Sequence, residues 1–108
     1  MTTLTLEPDV RKALEDARAL VKKGWAQDYN AMALGSAVCD PRSKAAARWC
    51  ANGALVAATG DADSPICSMA YDVLRAAAET DGSLSAWNDA PGRTQAEVLA
   101  LFDKALGK

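Results

Sequence analysis

The chain has 108 residues, 12 basic and 14 acidic side chains for a net charge of −2, no histidine and three cysteines. That length suits one domain, and size scaling buries about 65% of the unfolded chain's surface, enough for a core without staples. The lack of histidine excludes zinc–histidine sites, histidine-based triads and histidine pH switches.

Of the hydrophobic half, 24 residues are alanine, while Leu, Ile, Val and Phe together number only 19. At so low a net charge, that composition points to closely packed helices rather than disorder. Met1–Val10 lacks the cationic start and apolar stretch of a signal peptide, and no 18-residue apolar run is present. Cysteines at 39, 50 and 67 are too few and too scattered for a disulfide framework, so a cytoplasmic protein with free thiols is expected. A pI near 5.0 argues against general affinity for nucleic acid.

Residues 1–6 read as a frayed or loosely docked end. A first helix should start near Glu7-Pro8, since proline suits the first helical position. Val10, Ala13, Leu14, Ala17, Leu20 and Val21 then form one stripe at 100° per residue. Gly24 stops this helix, and a Schellman motif would fold Trp25 back onto Leu20. Residues 26–42 carry no helical period. Ala31–Leu34 and Ser36–Cys39 either pair as a short hairpin around Gly35 or form an irregular excursion.

A second helix is expected from Ser43 to Thr59, ended by Gly60. Ala46, Trp49, Cys50, Gly53, Ala54 and Ala57 share a face that, Trp49 apart, is small, and Gly53 there implies near contact with another backbone. A helix apolar around most of its circumference is central, so this one should be the hub. Ser64 caps and Pro65 opens a third helix reaching about Thr80, with Ile66, Met69, Ala70, Val73, Leu74 and Ala77 inward. Arg75 and Glu79 have i,i+4 spacing. Leu84–Trp87 makes a helical turn at most. Thr94-Gln-Ala-Glu97 is a capping box opening a last helix that buries Val98, Leu101, Phe102 and Ala105. The fold class is therefore all-α: a single-domain bundle, residues 1–108, of about four main helices with a hairpin-like or irregular insertion after the first.

Charge is unevenly placed. Residues 41–59 hold Arg42, Lys44 and Arg48 with no acid, whereas residues 60–81 carry a net −4. Cations at a helix start oppose its dipole, so they either meet internal acids or serve a partner. Cys50, placed mid-helix on the apolar stripe, reads as a packed thiol whose burial raises its pKa, and no histidine stands ready as its base. Cys67, in the first turn of the third helix, is better placed for a thiolate. Asp61 and Asp63 resemble the opening of a calcium loop, but its glycine and terminal glutamate are missing. No glycine spacing fits a phosphate loop or dinucleotide fingerprint, so neither metal nor cofactor is expected. Trp87-Asn88-Asp89 with Pro91-Gly92-Arg93 is the most distinctive loop. Its Trp87 either anchors the loop in the core or acts with Asn88 and Arg93 in recognition.

Gly24-Trp25, the block from Arg48-Trp49-Cys50 to Gly53-Ala54-Leu55, and Trp87-Asn88-Asp89 followed by Thr94 and Val98-Leu99 resemble a family of small bacterial and phage proteins of unknown function. The resemblance runs from the first helix to the end, implies a single small domain and supplies no catalytic residues. The expected function is a protein-interaction module or regulator, such as an inhibitor of a host protein, or one that self-associates. Its candidate contacts are Arg42, Lys44, Arg48, Leu55, Trp87, Asn88 and Arg93. The alternatives are a small cysteine- or carboxylate-dependent enzyme and, third, a nucleic-acid-binding module.

Overall fold

A computed structural model describes residues 6–108, so the expected loose end lies almost wholly outside the described residues. Pro8–Lys23 forms α1, with Val10, Ala13, Leu14, Ala17 and Val21 buried and Leu20 half-buried. The helix ends as the sequence implies, but by different means. Gly24 is extended (φ −171°), not left-handed, so there is no Schellman turn and Trp25 continues outward to bridge Trp49. Glycine is needed at 24 because a Cβ would run into the Ala47 carbonyl oxygen. The side chain of Gln95 reaches back to cap α1, donating to the Val21 carbonyl at 2.8 Å.

The largest correction concerns residues 31–50. Ala31–Ala33 is a strand, β1, and its partner is not the segment just beyond Gly35 but Ala46–Trp49, β2, in antiparallel register with Ala31 opposite Trp49. Only a single bridge, Met32 to Val38, joins β1 to its own return arm across the 3-10 turn Leu34–Ser36. The fold is thus mostly helical with a small two-stranded sheet, and not all-α. The expected second helix loses its first half, and α2 spans only Ala51–Thr59. The alanines before Trp49 favour helix by a few tenths of a kcal/mol each. That preference yields to Trp49, whose main chain bonds Gly24 and Ala26 (3.0 and 3.1 Å) and whose indole N–H donates to the Pro41 carbonyl at 3.0 Å. Cys50 becomes the N-cap of α2.

Pro65–Ala78 is α3, capped by Ser64 as expected, and its inward face is the expected one except at Met69, with Ile66, Val73 and Ala77 half-buried against the core. Cys67, Ala70 and Leu74 are buried, whereas Met69 is exposed. Arg75 bonds the carbonyls of Gly82 and Asp81 instead of Glu79, which pairs with Lys104. Leu84–Asn88 is the short α4, and Gln95–Ala105 is α5, opened by the complete capping box of Thr94 and Glu97. The central helix is α1, which packs against α2, α3, α5 and β2, while the shortened α2 meets α1, α3 and α4. One continuous core runs through Leu14, Leu55, Leu74, Leu84 and Phe102. Arg18 closes it at the side with a two-pronged bond to Asp103 (2.7 and 3.1 Å). Among the described residues no helix is long and apolar enough to cross a membrane.

Candidate functional site

The chain between α1 and β1 is drawn across the end of β2. The Ala26 N–H donates to Trp49, the Asn30 carbonyl accepts from the Cys50 N–H at 3.1 Å, and Asp28 between them adopts a left-handed conformation (φ 75°). Gly53 permits this path, because a Cβ there would strike the Asn30 carbonyl. The backbone contact expected at Gly53 is therefore made, although to this segment and not to a helix.

Asn88 fixes the arrangement from within the core. Its Oδ1 accepts from the Trp25 indole N–H (2.9 Å) and the Ala51 N–H (3.0 Å), and its Nδ2 donates to the Ala26 carbonyl (3.0 Å) and to Asp89 Oδ1 (2.9 Å). All four bonds of a buried carboxamide are satisfied. Asp89 Oδ1 also accepts the Asp28 N–H at 2.9 Å.

These contacts shape an open cleft of about 350 Å³ between the 28–30 segment, the return arm of β1 and α4. Tyr29, Val38 and Pro41 supply apolar surface, Asp28, Asn30, Ser85 and Asp89 polar groups, and Cys39 and Cys50 complete the lining. Beyond the cleft the ribbon tip carries Leu34, which is 86% exposed.

Cys50 reaches this cleft but is built as a structural thiol. It is 2% exposed, donates to Asn30 Oδ1 at 3.4 Å and accepts from the Gly53 N–H at 3.2 Å. Burial pushes its pKa up, the charge of Asp89 acts in the same direction, and the N–H groups of Gly53 and Asn52 only partly oppose them. Cys67 is buried and Cys39 half-buried, and all three are free thiols. Among the described residues no three His, Cys, Asp or Glu side chains stand where they could hold a metal ion.

The residues singled out from sequence are spread over the molecule. Arg42 is exposed and pairs with Asp40 at 3.2 Å, which holds the Asp40 carboxyl below the usual range, and it also reaches the Gly60 carbonyl at the end of α2. Its cationic charge thus sits at the favourable end of that helix. Lys44 is exposed on the turn before β2, and Arg48 is half-buried on β2 with its Cγ against Gly24. Leu55 is fully buried in the core and offers nothing to a partner, and Asn88 is likewise interior. Trp87 and Arg93 are brought together: the guanidinium lies 3.8 Å over the ring, and Arg93 Nε donates to the Trp87 carbonyl at 2.9 Å. Sequence reasoning passed over Tyr29, Leu34 and Val38. The available signal was three large apolar residues in a stretch with no periodic face to absorb them.

Residues 6–107 match a family of unknown function (DUF6197), and the chain belongs to that family. No curated protein and no solved structure matches it.

Proposed function

We propose that the chain is a single-domain helical bundle carrying a protein-docking ribbon, a small interaction module or regulator of the kind found in bacteria and their phages. The observation that carries this reading is the exposure of Leu34 (86%) and Val38 (59%) on the ribbon and of Tyr29 (51%) on the segment leading into it. Such side chains usually finish inside, and clustered on a surface they mark an interaction site. Burying each in a partner contributes roughly 1.5–3 kcal/mol, the scale of an interface hot spot. The partner is another protein presenting an apolar strip flanked by basic residues, because the acids Asp28 and Asp89 line the cleft beside the ribbon.

The cysteine-enzyme alternative is weakened by the bonded, protonated state of Cys50. The nucleic-acid alternative is weakened by the pairing of Arg42 with Asp40. A photo-crosslinking residue at position 34 or 38, installed in the native host, tests the docking reading against one at exposed Glu15 on α1. One discrete heterologous adduct at 34 and 38, absent at 15, is expected. Its purified partner should bind the Leu34→Ser, Val38→Ser double variant at least tenfold more weakly. An adduct of two copies of this chain, or equal labelling at all three positions, overturns the reading.

A further inference from the structure

The cleft beside the ribbon has a definite charge. Two carboxylates line it, Asp28 at the rim and Asp89 deeper, and no lysine or arginine is among its lining residues. Asp89 Oδ1 is occupied by the Asp28 and Asn88 N–H donors. Asp89 Oδ2 and both Asp28 carboxylate oxygens make no hydrogen bond to a described residue, so three acceptors are available. Asn30 Oδ1 is taken by the Cys50 thiol. The half-exposed Tyr29 ring stands at the rim. An acidic concavity with apolar walls concentrates cations and repels anions. Its volume of about 350 Å³ fits a single side chain or a small polar head group.

We infer that this cleft receives an arginine side chain of the docked protein. A guanidinium is planar, stacks on an aromatic face and bonds carboxylates through a fork of N–H groups. Tyr29 offers the face, and Asp28 and Asp89 offer the acceptors. An ammonium group satisfies the charge but forms neither the stack nor the fork, so arginine is selected over lysine. The inference rests on the docking reading for its biological source, while the chemistry of the cleft is tested apart from it.

The probe is N-acetyl-L-arginine amide, titrated into the full chain and followed by amide NMR shifts. Its controls are the lysine analogue and N-acetyl-L-citrulline amide, which keeps the planar head and loses the charge. Saturable shifts confined to residues 28–30, 38–39, 85 and 89 are expected, with citrulline at least tenfold weaker and lysine several-fold weaker. Asp28→Asn, whose carboxylate bonds no described residue, should retain the fold and weaken the arginine probe at least fivefold. Half-buried Cys39 gives a second readout, reacting faster with a cationic than an anionic methanethiosulfonate, by a ratio that Asp28→Asn reduces. No shifts in the cleft, equal binding of citrulline, or a Cys39 ratio of one overturns the inference. The Leu34→Ser single variant separates the two proposals, because Leu34 lies outside the cleft lining. If it binds the probe normally and crosslinking finds no partner, the docking reading fails alone. If crosslinking succeeds and the probe does not bind, only the arginine assignment fails.

Discussion

Replacing Asn88 with alanine tests the core of the structural argument. The carboxamide is fully buried and serves Trp25, Ala51, Ala26 and Asp89 at once. In Asn88→Ala, Asp89 Oδ1 keeps the Asp28 N–H and the half-buried Trp25 indole gains access to water. The Ala51 N–H and the Ala26 carbonyl, both buried, are left without a partner. Each stranded group costs about 1–3 kcal/mol, and the missing volume adds about 1 kcal/mol. A loss of about 3–7 kcal/mol is expected, out of a total on the order of 5–15 kcal/mol for a domain. In urea denaturation followed by circular dichroism, the midpoint should fall sharply with an unchanged slope, and Tm should drop by more than about 15 °C. Trp25→Phe removes one donor only and should cost about 1 kcal/mol. A loss below about 1 kcal/mol for Asn88→Ala would mean that water replaces the amide throughout and that the network does not hold the segment. Asn88→Asp adds a sign. A carboxyl held there beside Asp89 has its folded pKa raised, so that variant should lose stability as pH rises above the ordinary aspartate value of about 3.9.

Gly53→Ala should destabilise by about 2 kcal/mol, although alanine is the better helix former by about 1 kcal/mol, because the Asn30 carbonyl occupies the methyl's place; equal or higher urea resistance would contradict the contact. With an aromatic disulfide reagent, Cys39 should react first and Cys50 and Cys67 only on unfolding, and a fast reaction of Cys50 near pH 6 would revive the enzyme reading. Because burial raises the folded pKa of Cys50, the stability tied to its proton is intact below about pH 8.5 and declines as pH climbs beyond it. Cys50→Ala should flatten that decline in pH-dependent denaturation. Thr94→Ala removes one half of the capping box and should cost about 1 kcal/mol by the same assay.

Where local signals and packing agree, the sequence reads directly. α1, α3 and α5 begin at the caps that Pro8, Ser64-Pro65 and Thr94–Glu97 announce, and the stripe on α1 is the buried one. The stretch before Cys50 misleads because its alanines and the spacing of Ala46, Trp49 and Gly53 mimic a helix, whereas the 24–26 segment takes both main-chain groups of Trp49 and β1 pairs on its other side. On α3 the one departure is Met69: Cys67 is small enough to sit in the core, and the longer Met69 is left outside. The cleft was illegible for another reason. Asp28 and Asp89 lie 61 positions apart and meet only through the Asp28 N–H, a pairing that no spacing rule anticipates.

The segment from Gly24 to Ala31 is gripped at both ends by main chain, and between them by the side chains of Trp25 and Gln27. Neither Gly24 nor the Gly53 beneath Asn30 tolerates a side chain, so close backbone contact sets the course at both ends. Between those clamps, positions 28 to 30 point to solvent. Substitution at 29 rewrites the chemistry on offer without redrawing the track that presents it, whereas left-handed position 28 suits only residues such as Asp, Asn or Gly and Asn30 is tied to the Cys50 thiol.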